Sequence, residues 1–418
     1  MHGLPLQPVI AAAIALLAGV YLLRSHTASR ARRPPGPPGL PLLGNILQAP
    51  VKPVFLIGDI TLAKEILEKR SAKFSSRPTL PYVRSHVDPA QLYWSFSKQT
   101  ESHFIARRLT TGLMAAVRAG ETEPLQQFEA LLNVTHLLDG GGKNWFHHID
   151  RVSASMVLSA AFGLHCPTGQ EPDLKEIIVC IAEMVRLALP SASIVNVLPF
   201  LDIIPGPMPW RKQARTYRKR EDALYDKLIT RAVSGEASGM NTWAAAFARE
   251  DKPEGDQRQL MNQFAGAAID VAFYFTGTAV SLHAFILACI LYPEWIPRAQ
   301  REIDAIVGED RLPSFKDRPH LPFVEAIVRE TLRWRPAVRF GVPHQSTADD
   351  VVEYKGKEYF IPKGSIIIAV SWAIEHDQGK FENHDMFQPE RFLDDTNNLK
   401  SGYETSAFGF GRRGKLLH

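Results

Sequence analysis

The feature that most constrains this chain is the passage Leu321-Pro-Phe-Val-Glu-Ala-Ile-Val-Arg-Glu-Thr-Leu-Arg-Trp-Arg-Pro336. Val324, Ile327, Val328 and Thr331 recur at the i, i+3, i+4, i+7 spacing of one helical face, which predicts an amphipathic helix ending before Pro336. Glu330 and Arg333, at i and i+3, meet on another face. An isolated Glu-x-x-Arg is common. Here it is followed in order by Trp334-Arg335-Pro336, by Val342-Pro343-His344, and by Phe387-Gln-Pro-Glu-Arg-Phe392, which carries Arg391.

A second marked stretch closes the chain. Phe408-Gly409-Phe410-Gly411-Arg412-Arg413 is a glycine-punctuated loop that runs into Gly414-Lys415-Leu416-Leu417-His418. At the other end, Leu4 to Leu23 is apolar apart from Gln7 and is followed by Arg24, Arg30, Arg32 and Arg33. About 20 apolar residues span a bilayer as a helix, and basic residues after them hold that side in the cytosol. Residues 1–33 therefore read as a single-pass membrane anchor. The rival is a cleaved signal peptide, but Met1 to Pro8 has no positive region and no A-x-A-like site follows Leu23. Residues 34–45, Pro-Pro-Gly-Pro-Pro-Gly-Leu-Pro-Leu-Leu-Gly-Asn, are stiff and extended because proline fixes φ and removes a donor. They form a hinge that leaves residues 46–418 as one large domain.

Composition narrows the function classes. Forty-eight basic against 44 acidic residues give a net charge of +4, spread through helical stretches without an aromatic-laced basic face. Nucleic acid is not an expected partner. Cys166, Cys180 and Cys289 are odd in number, far apart and in apolar settings, so they read as reduced buried thiols. His147, His148 and Asp150 suggest metal ligands only superficially, since adjacent helical residues point about 100° apart. No metal site is expected from them.

These motifs in this order resemble the cytochrome P-450 family, in its microsomal, fungal-type haem-thiolate form. Phe408, Gly411 and Arg413 match the spacing of F-x-x-G-x-R-x-C-x-G, the loop that presents a cysteine thiolate to haem iron. The cysteine's place falls on Lys415 and the closing glycine's on Leu417. The proline hinge, the phrase Val54-Phe-Leu-Ile-Gly-Asp and the stretch Phe74-Ser-Ser-Arg-Pro78 extend the likeness. Only Ile46 to Pro53 separates hinge and first strand, an apparent deletion that leaves the strand at Val54 without its usual neighbour.

The resemblance implies a mainly α fold, a helical prism with a minor β-sheet, holding haem b. It implies a monooxygenase that inserts one atom of dioxygen into a lipophilic small molecule. Electrons come from an NADPH-dependent reductase on the same endoplasmic reticulum membrane, with the body facing the cytosol. It implies that Glu330, Arg333 and Arg391 form a buried charged cluster and that His344 meets a haem propionate. A helix within Trp94 to Leu109 supplies further propionate contacts, with Trp94 and Lys98 competing against His103, Arg107 and Arg108. Ala337 to Gly341 pass close to substrate, and Leu198 to Trp210, followed by a basic helix, forms the loop through which substrate arrives. That loop either dips into a bilayer or is buried.

Ala265 to Leu291 carries Asp270, Tyr274, Thr276, Thr278, Ser281 and His283, which argues for a buried central helix rather than a second membrane span. The family's proton-relay positions fall on Phe273 to Thr278 in one alignment and near Asp270 in another. Asp270, Thr276 and Thr278 are thus the candidate catalytic residues. A further departure is His384, where a proline is usual before Asp385. Because Lys415 stands for the cysteine, the polypeptide as written is expected not to be a competent monooxygenase. Its end is expected to be an artefact of processing or gene modelling. The alternative reading is a non-catalytic protein of the same fold that binds apolar ligands or nothing.

Overall fold

The computed structural model describes residues 53–78, 80–89, 111, 120–187, 189–196, 198–234, 242–245 and 277–411. The anchor, the hinge and the Trp94 to Leu109 stretch lie outside these residues.

The described chain opens on strand β1 (Val54–Ile57). It turns into α1 (Ile60–Lys64), where the Asp59 side chain accepts the Leu62 N–H at 2.9 Å and caps the helix. After α2 (Ser71–Phe74) come four long helices: α3 (Glu123–Asp139), α4 (Trp145–Phe162), α5 (Pro172–Leu187) and α6 (Pro209–Val233). Leu158 and Phe162 of α4, Ile177 of α5, and Leu224 and Leu228 of α6 share one core. α7 (Gly277–Leu291) leads at Pro293 into a segment bent by 91°, of which α8 (Ile296–Val307) is the main part. Then follow α9 (Pro322–Trp334) and the short α10 (Ser371–Glu375). The mainly helical class expected from the sequence is what is found.

Strands are few. A three-stranded sheet has the order β1-β5-β2, with β5 (Ile366–Ala369) parallel to β1 and antiparallel to β2 (His344–Gln345). A separate hairpin pairs β3 (Asp350–Tyr354) with β4 (Lys357–Ile361) through Lys355 and Gly356, both at positive φ, as a tight primed turn requires. Among the described residues β1 pairs on one side only, the edge position that the short Ile46 to Pro53 stretch suggests. Ile57, Leu67, Phe74, Ile367 and Phe410 form the core against this sheet.

Two expectations about helices need correcting. α9 does not bury the Val324, Ile327, Val328 and Thr331 stripe: Val328 is exposed, and the buried set is Phe323, Ala326, Ile327, Glu330, Thr331, Arg333 and Trp334. The charged pair turns inward because partners wait there, and Val328 is rotated out. α7 is not wholly buried either. Ala279, Ala284 and Ala288 face the core, while Val280, Leu287, Ile290 and Leu291 are exposed. Among the described residues no single helix is long and apolar enough to cross a membrane.

Candidate active site

α9 places its glutamate at the centre of a buried charge cluster. Arg333 is bidentate on Glu330, with Nε donating to Oε2 at 2.6 Å and an Nη to Oε1 at 2.8 Å. Arg391 Nε donates to Oε1 at 3.2 Å, and the Gln388 N–H reaches the same oxygen at 2.8 Å. Glu330 and Arg333 are both 0 % exposed. The remaining guanidinium protons go mostly to backbone: Arg333 to the carbonyls of Glu375, His384 and Met386, and Arg391 to that of Glu382 and to the Gln388 side-chain oxygen at 3.1 Å. Burial pulls Arg391 below its ordinary range, and the Glu330 charge opposes that pull. The cluster implied by the resemblance is therefore present, with every donor turned to use.

A second buried carboxylate does what the sequence did not announce. Glu375, at the end of α10, accepts the Ser406 N–H at 2.6 Å and its hydroxyl at 2.8 Å, with Tyr403 and Thr405 hydroxyls at 3.3 and 3.4 Å. Burial raises its pKa, against the pull of the Ser406 hydrogen bonds. Its backbone carbonyl meanwhile holds Arg333. One residue thus joins the charge cluster to the start of the glycine loop. The signal was faint, because the main partner is a backbone amide.

The loop reaches a crowded position. Phe410 is buried in the sheet core, while Phe408 is 41 % exposed. Gly411 adopts φ +83°, and a Cβ there would sit 2.8 Å from the Leu67 carbonyl oxygen and 3.8 Å from His344 Nε2. Only glycine fits. His344, buried on β2, is held in register by Ile367. Its neighbourhood is braced by Phe74-Ser-Ser-Arg-Pro78: Ser76 bridges to Gln345, and Arg77 donates to the Val342 and Pro343 carbonyls at 3.1 and 2.7 Å. The structure thus brings Gly411 and His344 together, which sequence spacing alone could not do.

On the other side, Gly277, the first described residue of α7, packs toward Ala337, a Cβ added to it lying 3.7 Å from the Ala337 Cβ. Thr278 follows Gly277 and is half-buried. Asp270, Thr276, Arg107 and Arg413 lie outside the described residues.

The residues fit the haem that the resemblance implies only in part. Gly411 and His344 lie side by side, where the resemblance puts haem and its propionates. By the resemblance the iron donor's place falls on Lys415, which lies outside the described residues. The chain's cysteines are elsewhere, Cys166 and Cys180 in the α4–α6 core and Cys289 on α7. Burial, with Glu171 and Glu129 nearby, pushes the Cys166 thiol up to about 12.

The loop leading to α6 is exposed rather than buried. Phe200 and Ile203 are 62 % and 82 % exposed, and Arg211 ties the loop together through the carbonyls of Gly206 and Asp202. Beside it a groove of about 660 Å³ is lined by Ile194, Trp210, Thr216 and Tyr217 among others, none of them a residue of the Gly411 wall. His147, His148 and Asp150 diverge, His147 toward the Thr168 carbonyl and Asp150 toward His283.

Comparison with known proteins agrees with this geometry. The chain matches the family model described as Cytochrome P450 over residues 47–414. It is 32 % identical to cytochrome P450 monooxygenase 58 of Postia placenta, over 96 % of this chain and 81 % of that protein. It is 30 % identical to cytochrome P450 monooxygenase peniB of Penicillium patulum, over 97 % of this chain and 78 % of that protein.

Proposed function

The chain belongs to the cytochrome P450 family, and from that premise we propose that its fold serves to oxidise a lipophilic small molecule with dioxygen at a bound haem b. The family is one of haem-dependent oxidoreductases, and the relatives named above are monooxygenases. When bound, haem supplies the dioxygen chemistry, which an axial thiolate promotes.

The chain's own residues have narrower tasks. Glu330, Arg333 and Arg391 fix the wall behind the loop, and Glu375 sets where the loop begins. His344 would hold a haem propionate. The Thr278 hydroxyl, with Thr276 and Asp270 before it, holds water and passes protons on the opposite side; a hydroxyl orders a water but does not act as a carboxylate does. The exposed apolar loop at Phe200 and Ile203, flanked by the cations of α6, suits arrival of substrate from a membrane surface. An anchor over Leu4 to Leu23, a reductase on the same endoplasmic reticulum membrane and a cytosolic body complete the reading. Protection of residues beyond Arg33 from protease on sealed microsomes would refute this topology.

The observation that carries the proposal is the continuous chain of contacts from Arg391 through Glu330, Arg333 and Glu375 to Ser406. A second reading, a non-catalytic protein of this fold, is favoured by Lys415. The reduced, CO-treated spectrum separates the two. The chain as written is expected to lack the thiolate-type Soret shift, and the Lys415→Cys, Leu417→Gly variant to acquire it. If the variant binds no haem, the oxidase reading fails.

A further inference from the structure

His376 and His384 stand apart from the machinery described above, and their unused nitrogens converge. The His376 Nδ1–H donates to the Trp372 carbonyl at 3.0 Å, and the ring stacks on the Trp372 indole with centroids 3.8 Å apart. That hydrogen bond leaves the lone pair on Nε2. His376 Nε2 is buried and has no hydrogen-bond partner among the described residues. The His384 ring lies edge-on to it, with centroids 5.6 Å apart. His384 Nδ1 is also buried without a hydrogen bond, although Asp385 Oδ1 lies 3.2 Å away, close enough for attraction but poorly aligned. The other nitrogen of His384 is engaged by the Gln378 amide at 3.2 Å. One donor atom from each of His376, His384 and Asp385 lies within 4.8 Å of the other two.

We propose that these three side chains bind a divalent transition-metal ion of the zinc class. Two imidazoles and one carboxylate form a donor set suited to Zn²⁺, with water in the remaining position, and poorly suited to Mg²⁺. His376 has the outer support that ligating histidines use, its Nδ1–H donating to a carbonyl; His384 gains the same support when the Gln378 amide turns its oxygen to Nε2–H, which leaves the Nδ1 lone pair for the metal. Asp385 is the exposed member, its side chain 80 % accessible, and closes the site by rotation. Two cations bear on His376: Arg333 is paired with Glu330, while Arg335 lies over the Trp334 and Trp372 rings, so the Asp385 carboxylate is what offsets the charge of an incoming ion.

Binding would clamp residues 376–385 onto α9. The backbone already makes that contact, the His384 carbonyl accepting from Arg333 at 2.9 Å and the Asp385 carbonyl from Trp334 Nε1 at 2.8 Å. Side-chain substitutions leave those carbonyls in place, so metal affinity separates from folding. The test is calorimetric titration of the purified full chain with ZnCl₂, with MgCl₂ as control and thermal unfolding in parallel. The expected result is one saturable Zn²⁺ site that raises the unfolding midpoint, with no response to Mg²⁺. His384→Ala and Asp385→Asn should each weaken Zn²⁺ binding at least tenfold. Should His384→Ala not fold, the exposed Asp385→Asn decides alone. Absence of saturable Zn²⁺ binding, or binding unchanged in Asp385→Asn, would overturn the proposal.

Discussion

The Glu375 carboxylate receives both the N–H and the hydroxyl of Ser406, at 2.6 and 2.8 Å, so that α10 and the glycine loop share one buried charge. Glu375 is also where the charge cluster of α9 touches this region, through its backbone carbonyl to Arg333.

Replacing Glu375 by Leu should therefore leave the Ser406 amide and hydroxyl without acceptors in a dry site, at about 1–3 kcal/mol. Glu375→Gln keeps one acceptor oxygen and should lose less. Chemical denaturation gives the order, and equal losses in the two variants would contradict the tether.

Removal of Glu330 is the severer change. Glu330→Leu strands two guanidiniums, one wholly buried, and should cost about 3–5 kcal/mol. Arg391→Met should cost less, since Glu330 retains the bidentate Arg333. Urea midpoints in the reverse order would show that Arg391 is the stronger partner.

A further buried pair lies far from the loop. Arg151 donates to Glu129 at 2.6 Å, with Ser155 on the other carboxylate oxygen at 2.6 Å, and both charged residues are essentially inaccessible. Glu129→Gln and Arg151→Met should each destabilise by about 3 kcal/mol or more, and the double variant by clearly less than their sum. Additive losses in a double-mutant cycle would exclude the pairing.

Asp350 gives a pH signature. Burial would raise its pKa, but the hydrogen bonds from Lys73 at 2.8 Å and Arg70 at 3.2 Å prevail, and the value lies below the ordinary 3.8. A depressed carboxylate stabilises the fold above its unfolded pKa and loses that stabilisation as pH falls through its folded one. Asp350→Asn should therefore be about 1 kcal/mol less stable at pH 6 and approach the parent as pH drops below 3.8. A difference independent of pH would mean the contact is not ionic.

Thiol chemistry offers a simple check on the core. With its pKa pushed up to about 12 by burial and two neighbouring glutamates, Cys166 should resist alkylation at pH 8 until the protein unfolds. Cys289, less buried, should react first. Early labelling of Cys166 would place the α4–α6 core in error.

What the sequence disclosed depended on where each partner lies. Glu330 and Arg333 are three apart on one helix, and their motif names Arg391, so the cluster was legible. The Glu375 contact was not, because its partners are an amide and hydroxyls that no side-chain pattern advertises. Glu129 and Arg151 escaped for a related reason: they sit on different helices, and no periodic rule links them. Val328 shows the opposite failure, where a regular apolar stripe pointed inward and the charged pair took its place. His344 was named from its motif, but that Gly411 packs beside it came only from the sheet that carries one and the loop that delivers the other.

The pairing of β1 with β5 has a consequence for synthesis. Val54 faces Ile366 across a parallel ladder, so the first described strand leaves the ribosome hundreds of residues before its partner exists. At about 5–20 residues per second the delay is roughly a quarter of a minute to a full minute. Through that interval the sheet that seats His344 has no template, while the α4–α6 core is complete once Ala244 has been made, well before Ile366. The helical half is thus free to assemble first, and the wall that meets Gly411 forms later, once β5 has been made. An unpartnered β1 carrying Val54, Phe55 and Ile57 is an attractive target for a chaperone throughout.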